Sequence, residues 1–468
     1  MGGSADIIKA MRQAVPAGLA QLGQAQITVL RELTAELLKA TPGADAEHRR
    51  FRDITLRGLC LPEAELASHI DGATILVTGG TGCIGSALMA ELAARRPARL
   101  VSVSRGGAES APGTPARPRQ HSAEYLKADV SDCRAIDAVI GDVRPDIVFH
   151  LAAQRSPALA EVEVHRTVST NTLGARNVLA AGAKAGTRQV VLASTGKAVR
   201  PYSPEVYTAS KRAAEWVATT AACDVTCSAA RFTHVVDNSI VYQRLLGWAA
   251  DGPASGTASG NDVIRLHSGD IAFYAQSACE SAQLLLIAML GAVPGEFRVH
   301  AISDLGWPIS LLDIALGILA DTRSSTPLYI SGYDPGYEEV PFPGLYDPVT
   351  SGDVSPLLNA FEATVTTPGP CPMVNSFRLE MAPDPAAPKL LDVLDRACAR
   401  TRDNDAIRHA LDDLSWSVLD AALAAADLSA LRRSAMLTRR FEDGMTPAHR
   451  KIMRAITAHC GWDPYGTD

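Results

Sequence analysis

The chain has 468 residues, 47% of them hydrophobic, with 44 Lys and Arg against 51 Asp and Glu and a net charge of −7. That length predicts one large domain with appendages, or two domains, around a substantial core. The negative balance and the lack of a basic run with interleaved aromatics exclude nucleic acid as an expected partner. Every long apolar stretch is broken by Gln, Glu or Asp, so no membrane span is expected either, and the opening M-G-G-S-A-D lacks a signal-peptide layout. A cytoplasmic protein is the expectation. Its nine cysteines then read as reduced, mostly apolar residues; Cys223 and Cys227 form a lone C-x3-C with no second pair, so no metal site is predicted.

In chain order, residues 5–40 show helical spacing in two blocks, and Thr41-Pro42-Gly43 ends the second. The pair reads as a lid on the main domain or a dimer contact. From residue 73 short apolar runs alternate with amphipathic helices, the pattern of a parallel sheet. The predicted strands are Thr74–Val77, Leu100–Val103, a third before Asp129, Pro145–His150 and Gln189–Leu192. A glycine-rich turn, Thr78 to Gly85 (T-G-G-T-G-C-I-G), joins the first strand to a helix predicted over Ser86–Arg95. Gly106–Gln120 and Asp251–Asn261 read as loops, 277–290 as an apolar helix, and the Pro/Gly-rich stretch Tyr333–Gly369 leads into a helical C-terminal region. The fold class predicted is α/β: a Rossmann-type doubly wound parallel sheet, a smaller substrate-binding part, and added helical segments at both ends. The domain boundaries are 1–72 for an N-terminal helical extension, 73–235 for the dinucleotide-binding domain, 236–350 for the substrate-binding part and 351–468 for the C-terminal extension.

The turn carries the first chemical signal. Gly79 permits a tight bend, Gly82 lets backbone approach a pyrophosphate, and Gly85 lets helix pack on strand. The free N–H groups of the helix start face the phosphates. Ser104-Arg105 ends the second strand where an acidic residue would select NAD, so NADP is the expected cofactor and NAD the less favoured one. The second signal is Ser194-Thr195 after the fifth strand, followed by Tyr207 and Lys211 in Y-T-A-S-K. Tyr and Lys four apart share a helix face, and an ammonium beside a phenol is expected to lower the phenol's pKa. Tyr207 then takes a proton from a substrate hydroxyl while Ser194 or Thr195 orients that oxygen.

The runs F-H-L-A-A-Q-R-S-P at 149–157, T-N-T-L-G-A-R-N-V at 170–178, L-A-S-T-G-K-A-V-R-P at 192–201 and V-Y-T-A-S-K-R at 206–212 resemble an extended short-chain dehydrogenase/reductase. Within that group they are similar to the polysaccharide-biosynthesis (CapD-like) branch of sugar-nucleotide 4,6-dehydratases and epimerases. The resemblance covers roughly residues 55 to 345. It implies that Gly79, Thr81, Gly82, Cys83 and Ile84 contact the pyrophosphate, that Asp129 and Val130 meet the adenine, that Leu151, Ala152 and Ala153 line the cofactor, and that Tyr207 and Lys211 flank the nicotinamide ribose. Asn171 would hold backbone and water in the relay, Arg155 would replace a Lys near the substrate, and His234 and Arg265 would approach the nucleotide phosphates. Lys197 would move a proton beside a transient ketone. The implied substrate is a nucleotide sugar, oxidised at C4 and then epimerised or dehydrated, in a homo-oligomeric enzyme.

Three departures from that branch stand out. Its Ser-Thr-Asp-Lys reads Ser194-Thr195-Gly196-Lys197, without the acid; two residues are added between Lys197 and Tyr207; and Arg-Phe-Gly-Asn reads Arg231-Phe232-Thr233-His234. An aspartate restored at position 196 is expected to favour dehydration. A simple NADP-dependent dehydrogenase or ketoreductase, and a non-catalytic NADP-binding protein, stay open as alternatives.

Overall fold

The computed structural model describes residues 3–107, 123–250, 263–333, 342–345, 355–362, 366–440 and 444–461. The loop read at Asp251–Asn261, and most of those at Gly106–Gln120 and Tyr333–Gly369, lie outside the described residues. The chain forms two compact units that are not contiguous in sequence. One comprises residues 3–57, 234–278 and 305–333; the other comprises 58–233, 279–304 and the described residues beyond 340.

The larger unit is built on a nine-stranded sheet. Its strands are β1 (Thr74–Thr78), β2 (Arg99–Ser104), β3 (Glu124–Lys127), β4 (Ile147–His150), β5 (Gln189–Thr195), β6 (Thr226–Phe232), β7 (Phe297–Ile302), β8 (Thr366–Pro368) and β9 (Val374–Arg378). Their order is β3-β2-β1-β4-β5-β6-β7-β9-β8. From β3 to β7 every pairing is parallel; β9 and β8 add an antiparallel edge. Ile75, Val77, Ile147, Val148 and Phe149 are buried without alternation, because helices cover both faces of such a sheet. The order reverses between β1 and β4, so a crevice opens beyond their carboxyl ends, where ligands bind in open α/β sheets.

Strands β8 and β9 escaped the sequence reading. They come from the segment taken as leading only to helices, and β9 pairs along the whole of β7. Beyond them comes the helix Ala387–Arg400, and then the helices Asn404–Ala425, Leu428–Arg439 and Pro447–Cys460 close a core of their own around Leu419, Leu423, Ile452 and Ile456, into which Tyr202 inserts.

In the smaller unit the helices Ser4–Ala14, Gln24–Ala40 and Ala44–Asp53 share one apolar core with Ile240–Ala250, Leu311–Thr322 and the paired strands Ile264–Leu266 and Leu328–Ile330. Leu30, Leu37, Phe51, Leu316 and Tyr329 are among its fully buried members. Among the described residues no single helix is long and apolar enough to cross a membrane.

Candidate active site

The glycine turn sits at the end of β1. Its helix runs Cys83–Ala93, three residues earlier than the sequence periodicity predicts, because Gly82 is the N-cap and supplies no side chain to cap it. The first-turn N–H groups therefore have no side-chain partner at the cap and are presented to an anion. Gly79 has φ +74°, and a Cβ there would lie 2.9 Å from the Ala152 nitrogen; at Gly85 it would lie 2.1 Å from the Gly79 carbonyl oxygen. No other residue fits either position. These side-chain-free contacts and the uncapped helix start suit a pyrophosphate, so the residues present fit a dinucleotide. The adjoining ends of β1 and β4 are tied by Thr78 Oγ1, which meets His150 Nδ1 at 2.8 Å and accepts the Leu151 N–H at 3.1 Å.

Ser104 Oγ donates to the Gly107 carbonyl at 2.8 Å, and Arg105 beside it is exposed. The Asp129 carboxylate accepts from the N–H and O–H of Ser131, at 2.9 and 2.8 Å, and Asn177 holds the Val130 carbonyl at 3.0 Å. Ala153 and Arg155, after β4, are exposed, whereas Leu151 and Ala152 are half-buried.

The relay residues converge on the end of β5. Alternation along the strand points the adjacent hydroxyls of Ser194 and Thr195 to different partners. The Thr195 side chain acts on the Tyr207 phenol, while Ser194 Oγ donates to Glu215 Oε1 at 2.6 Å and is buried. Lys211 Nζ donates to the Ala193 carbonyl at 2.6 Å, and burial lowers its pKa to about 8 against the pull of Glu215. The expected lowering of Tyr207 by Lys211 does not hold: burial raises the phenol, opposed by the Thr195 side chain. The reason is geometric, since the ammonium is turned to a backbone carbonyl.

Asn171 lies in a π-helical turn, Ser169–Leu173, a widening of the helix that often accompanies function. Its side chain accepts from the Gln154 N–H at 2.8 Å and donates to the Gln154 carbonyl and Ser210 Oγ, both at 3.1 Å. It thereby locks the loop after β4 to the helix Val206–Ala221 that carries Tyr207 and Lys211.

Sequence reasoning missed the group beneath this site. Arg231 is wholly buried between Glu215, at 2.9 and 2.8 Å, and Glu362, at 2.6 and 2.9 Å, and Arg212 reaches both carboxylates. Burial opposes the charge on Glu215, but Arg231 and then Arg212 hold it below the ordinary carboxylate value. The available signal was spacing: Tyr207, Lys211 and Glu215 follow at four-residue intervals on one helix face. No local pattern announces Glu362. Also missed was Glu205, whose buried carboxylate lies 3.0 Å from Lys197 Nζ.

His234 and Arg265 belong to the smaller unit. His234 Nε2 meets Ser239 Oγ at 2.7 Å, its ring lies 4.5 Å from that of Phe273, and burial lowers it to about 4, a neutral imidazole. Arg265 donates to the Leu19 and Ala20 carbonyls, each at 2.8 Å, over the Tyr329 ring. A phosphate contact for either rests on the resemblance. Among the described residues no group of three or more His, Cys, Asp or Glu is placed to hold a metal.

Residues 75–243 match the model of a family described as polysaccharide biosynthesis protein. The probable polysaccharide biosynthesis protein EpsC of Bacillus subtilis (strain 168) is 27% identical over 290 residues, 60% of this chain and 47% of that protein. Over these residues the chain is similar to the polysaccharide-biosynthesis branch of the extended short-chain dehydrogenase/reductases. The dTDP-L-rhamnose 4-epimerase of Burkholderia thailandensis is 36% identical over 120 residues, 26% of this chain and 33% of the epimerase. The X-ray structure of Pen from Bacillus thuringiensis shares the fold, with TM-score 0.52 and 19% identity over 68% of this chain and 90% of that one. The chain spans about half the length (47%) of EpsC, its polysaccharide-biosynthesis relative.

Proposed function

We propose that the chain is an enzyme that modifies a nucleotide sugar, using a nicotinamide dinucleotide held on the Gly79–Gly85 turn. The observation that carries this reading is the placing of Thr195, Tyr207 and Lys211 together at the end of β5, one strand from the β1/β4 switch point where the uncapped glycine turn opens. Kinship of residues 75–243 with polysaccharide-biosynthesis proteins, and of a 120-residue stretch with a sugar-nucleotide 4-epimerase, supports the substrate class. The dinucleotide, when bound, supplies a reversible hydride acceptor.

Tyr207 takes the proton of a sugar hydroxyl whose oxygen Thr195 orients, as the carbon loses its hydride. Lys211 stands one helical turn on, its amine fixed by Ala193, to hold the ribose side of the cofactor. Epimerisation would need the hydride back on the opposite face of the carbon, with Tyr207 returning the proton to oxygen; dehydration would need loss of water from the ketone and then the hydride back at the carbon that lost hydroxide. Arg155 is the substrate-side cation, and Arg105 the partner of a 2′-phosphate, which favours NADP.

The test is direct. Protein passed through gel filtration and then denatured should release a nicotinamide dinucleotide identifiable by mass spectrometry. The same protein should convert at least one member of a panel of UDP and dTDP sugars to a C4 epimer or 4-keto product without net consumption of cofactor. Stoichiometric use of added NADPH would establish the dehydrogenase alternative, and neither bound cofactor nor conversion would overturn the reading.

A further inference from the structure

The stretch between Lys197 and Tyr207 is pinned at both ends by the C-terminal region. Asn359 Nδ2 donates to the Val199 carbonyl at 2.9 Å. Tyr202 is buried edge-on against Trp416, with ring centroids 5.8 Å apart, its hydroxyl bonded to Asp412 and the Lys451 ammonium 4.4 Å from its ring centre. Next to Lys197, position 196 has no side chain, and Leu357 fills the space: a Cβ on Gly196 would lie 2.7 Å from Leu357 Cδ2. Held this way, the stretch delivers Glu205 to Lys197. Glu205 Oε2 lies 3.0 Å from Lys197 Nζ and 3.5 Å from Arg200 Nη1, and it accepts from Thr208 Oγ1 at 2.7 Å. The Glu205 side chain is 3% exposed and that of Lys197 27%, so the carboxylate is internal and Lys197 is partly accessible.

We propose that Glu205 is the partner that fixes Lys197 as an ammonium, so that Lys197 binds and donates to a sugar oxygen and does not remove a proton from carbon. The inference rests on the reading of this site as one that oxidises a nucleotide sugar. A buried carboxylate with three donors is stable only as an anion. Burial opposes that charge, but Lys197 and then Arg200 hold Glu205 below the usual carboxylate range. The other charged groups at this helix end are Glu161, which accepts the Val206 N–H at 2.8 Å, and Arg408, paired with Glu161. They are already matched to each other. With no carbon base at position 197, the ketone made at Tyr207 has one balanced exit on these residues. Tyr207 returns the proton to the oxygen, and a dinucleotide on the glycine turn, when bound, would give back the hydride it had accepted. Epimerisation is therefore favoured over elimination.

The experiment reads Lys197 without substrate. Full-length protein is treated with an amine-acylating reagent across pH 7–11, and modification is followed peptide by peptide, with the exposed Lys39 as internal reference. Labelling of Lys197 should rise at higher pH than labelling of Lys39. In Glu205→Gln, which keeps an acceptor for Thr208, labelling at pH 8.5 should increase about tenfold or more, one pH unit being a tenfold change in free amine; Glu205→Asp should restore part of the protection. If wild-type Lys197 labels at or below the pH of Lys39, or if Glu205→Gln leaves its profile unmoved, the proposal is overturned, whatever the substrate. Absence of bound dinucleotide and of sugar conversion would instead overturn the functional reading, with the labelling profile unaffected. In deuterated water, wild type should return substrate and epimer free of carbon-bound deuterium; uptake abolished by Lys197→Met would also overturn the proposal.

Discussion

At the scale of single residues, the two hydroxyls at the end of β5 divide the work. Thr195→Val should lower turnover by roughly 100-fold, as removal of the proton path by Tyr207→Phe should, while both variants retain the dinucleotide. Ser194→Ala should leave turnover largely intact and cost about 1–3 kcal/mol in denaturant unfolding, because Glu215 loses a buried donor. Equal kinetic losses in both would contradict this division. Lys211 carries a pH signature. Its folded value is about 8 against an ordinary 10.5, so between those values the unfolded chain binds a proton that the folded one does not. In apoprotein, wild type should therefore gain stability relative to Lys211→Met as pH rises from 8 to 10.5, and a flat difference would show that the amine is not desolvated. Gly196 reverses an expectation drawn from the sequence. Gly196→Asp should not create a dehydratase but should lower the melting temperature, since its Cβ meets Leu357; gain of a 6-deoxy-4-keto product by a stably folded variant would refute that.

At the scale of elements, β1, β2, β4 and β5 were legible because each is a short apolar run bounded by turn residues, whereas β6 and β7, parallel as well, were not read from the sequence. The glycine turn and the Tyr207–Lys211 face were legible because their function depends on fixed local spacing. Strand β9 was not: Val374–Arg378 has too few apolar residues to stand out, and it exists because β7 offers it an edge. Glu205, Leu357 and Glu362 were illegible for a related reason. Each acts on a residue brought near by the fold, and for Glu362 that residue is 131 positions away. The segment 355–362 should accordingly behave as part of the dinucleotide-binding unit. Glu362→Gln removes one of two carboxylates from the buried Arg231, an uncompensated charge that should cost on the order of 3–5 kcal/mol. The loss should appear in the same unfolding transition as loss of cofactor binding; a separate early transition would show that the segment is only an appendage.

At the scale of the whole molecule, acid should be the destabilising direction. Burial lowers His150 to about 3 and His300 to about 4, from an ordinary 6.5. Over that interval the unfolded chain takes up protons that the folded chain refuses, so stability falls as pH drops below 6.5. Glu205 and Glu215, held below their ordinary values, act in the same sense as pH falls through the carboxylate range. Thermal unfolding followed from pH 7 to pH 4 should show a steep fall that His150→Asn makes shallower; an unchanged slope would place the sensitivity elsewhere.

The buried Arg231 has a consequence for how the protein is made. Its second carboxylate leaves the ribosome 131 residues later, a delay of roughly 10 s at ordinary rates of synthesis. Until then β6 carries a guanidinium matched by Glu215 alone, and the sheet edge that β9 will cover is open. We expect the nascent chain to stay protease-sensitive past the end of its parallel strands and to acquire resistance only once residues 355–378 have emerged, so that the Rossmann half of this protein is completed by its tail.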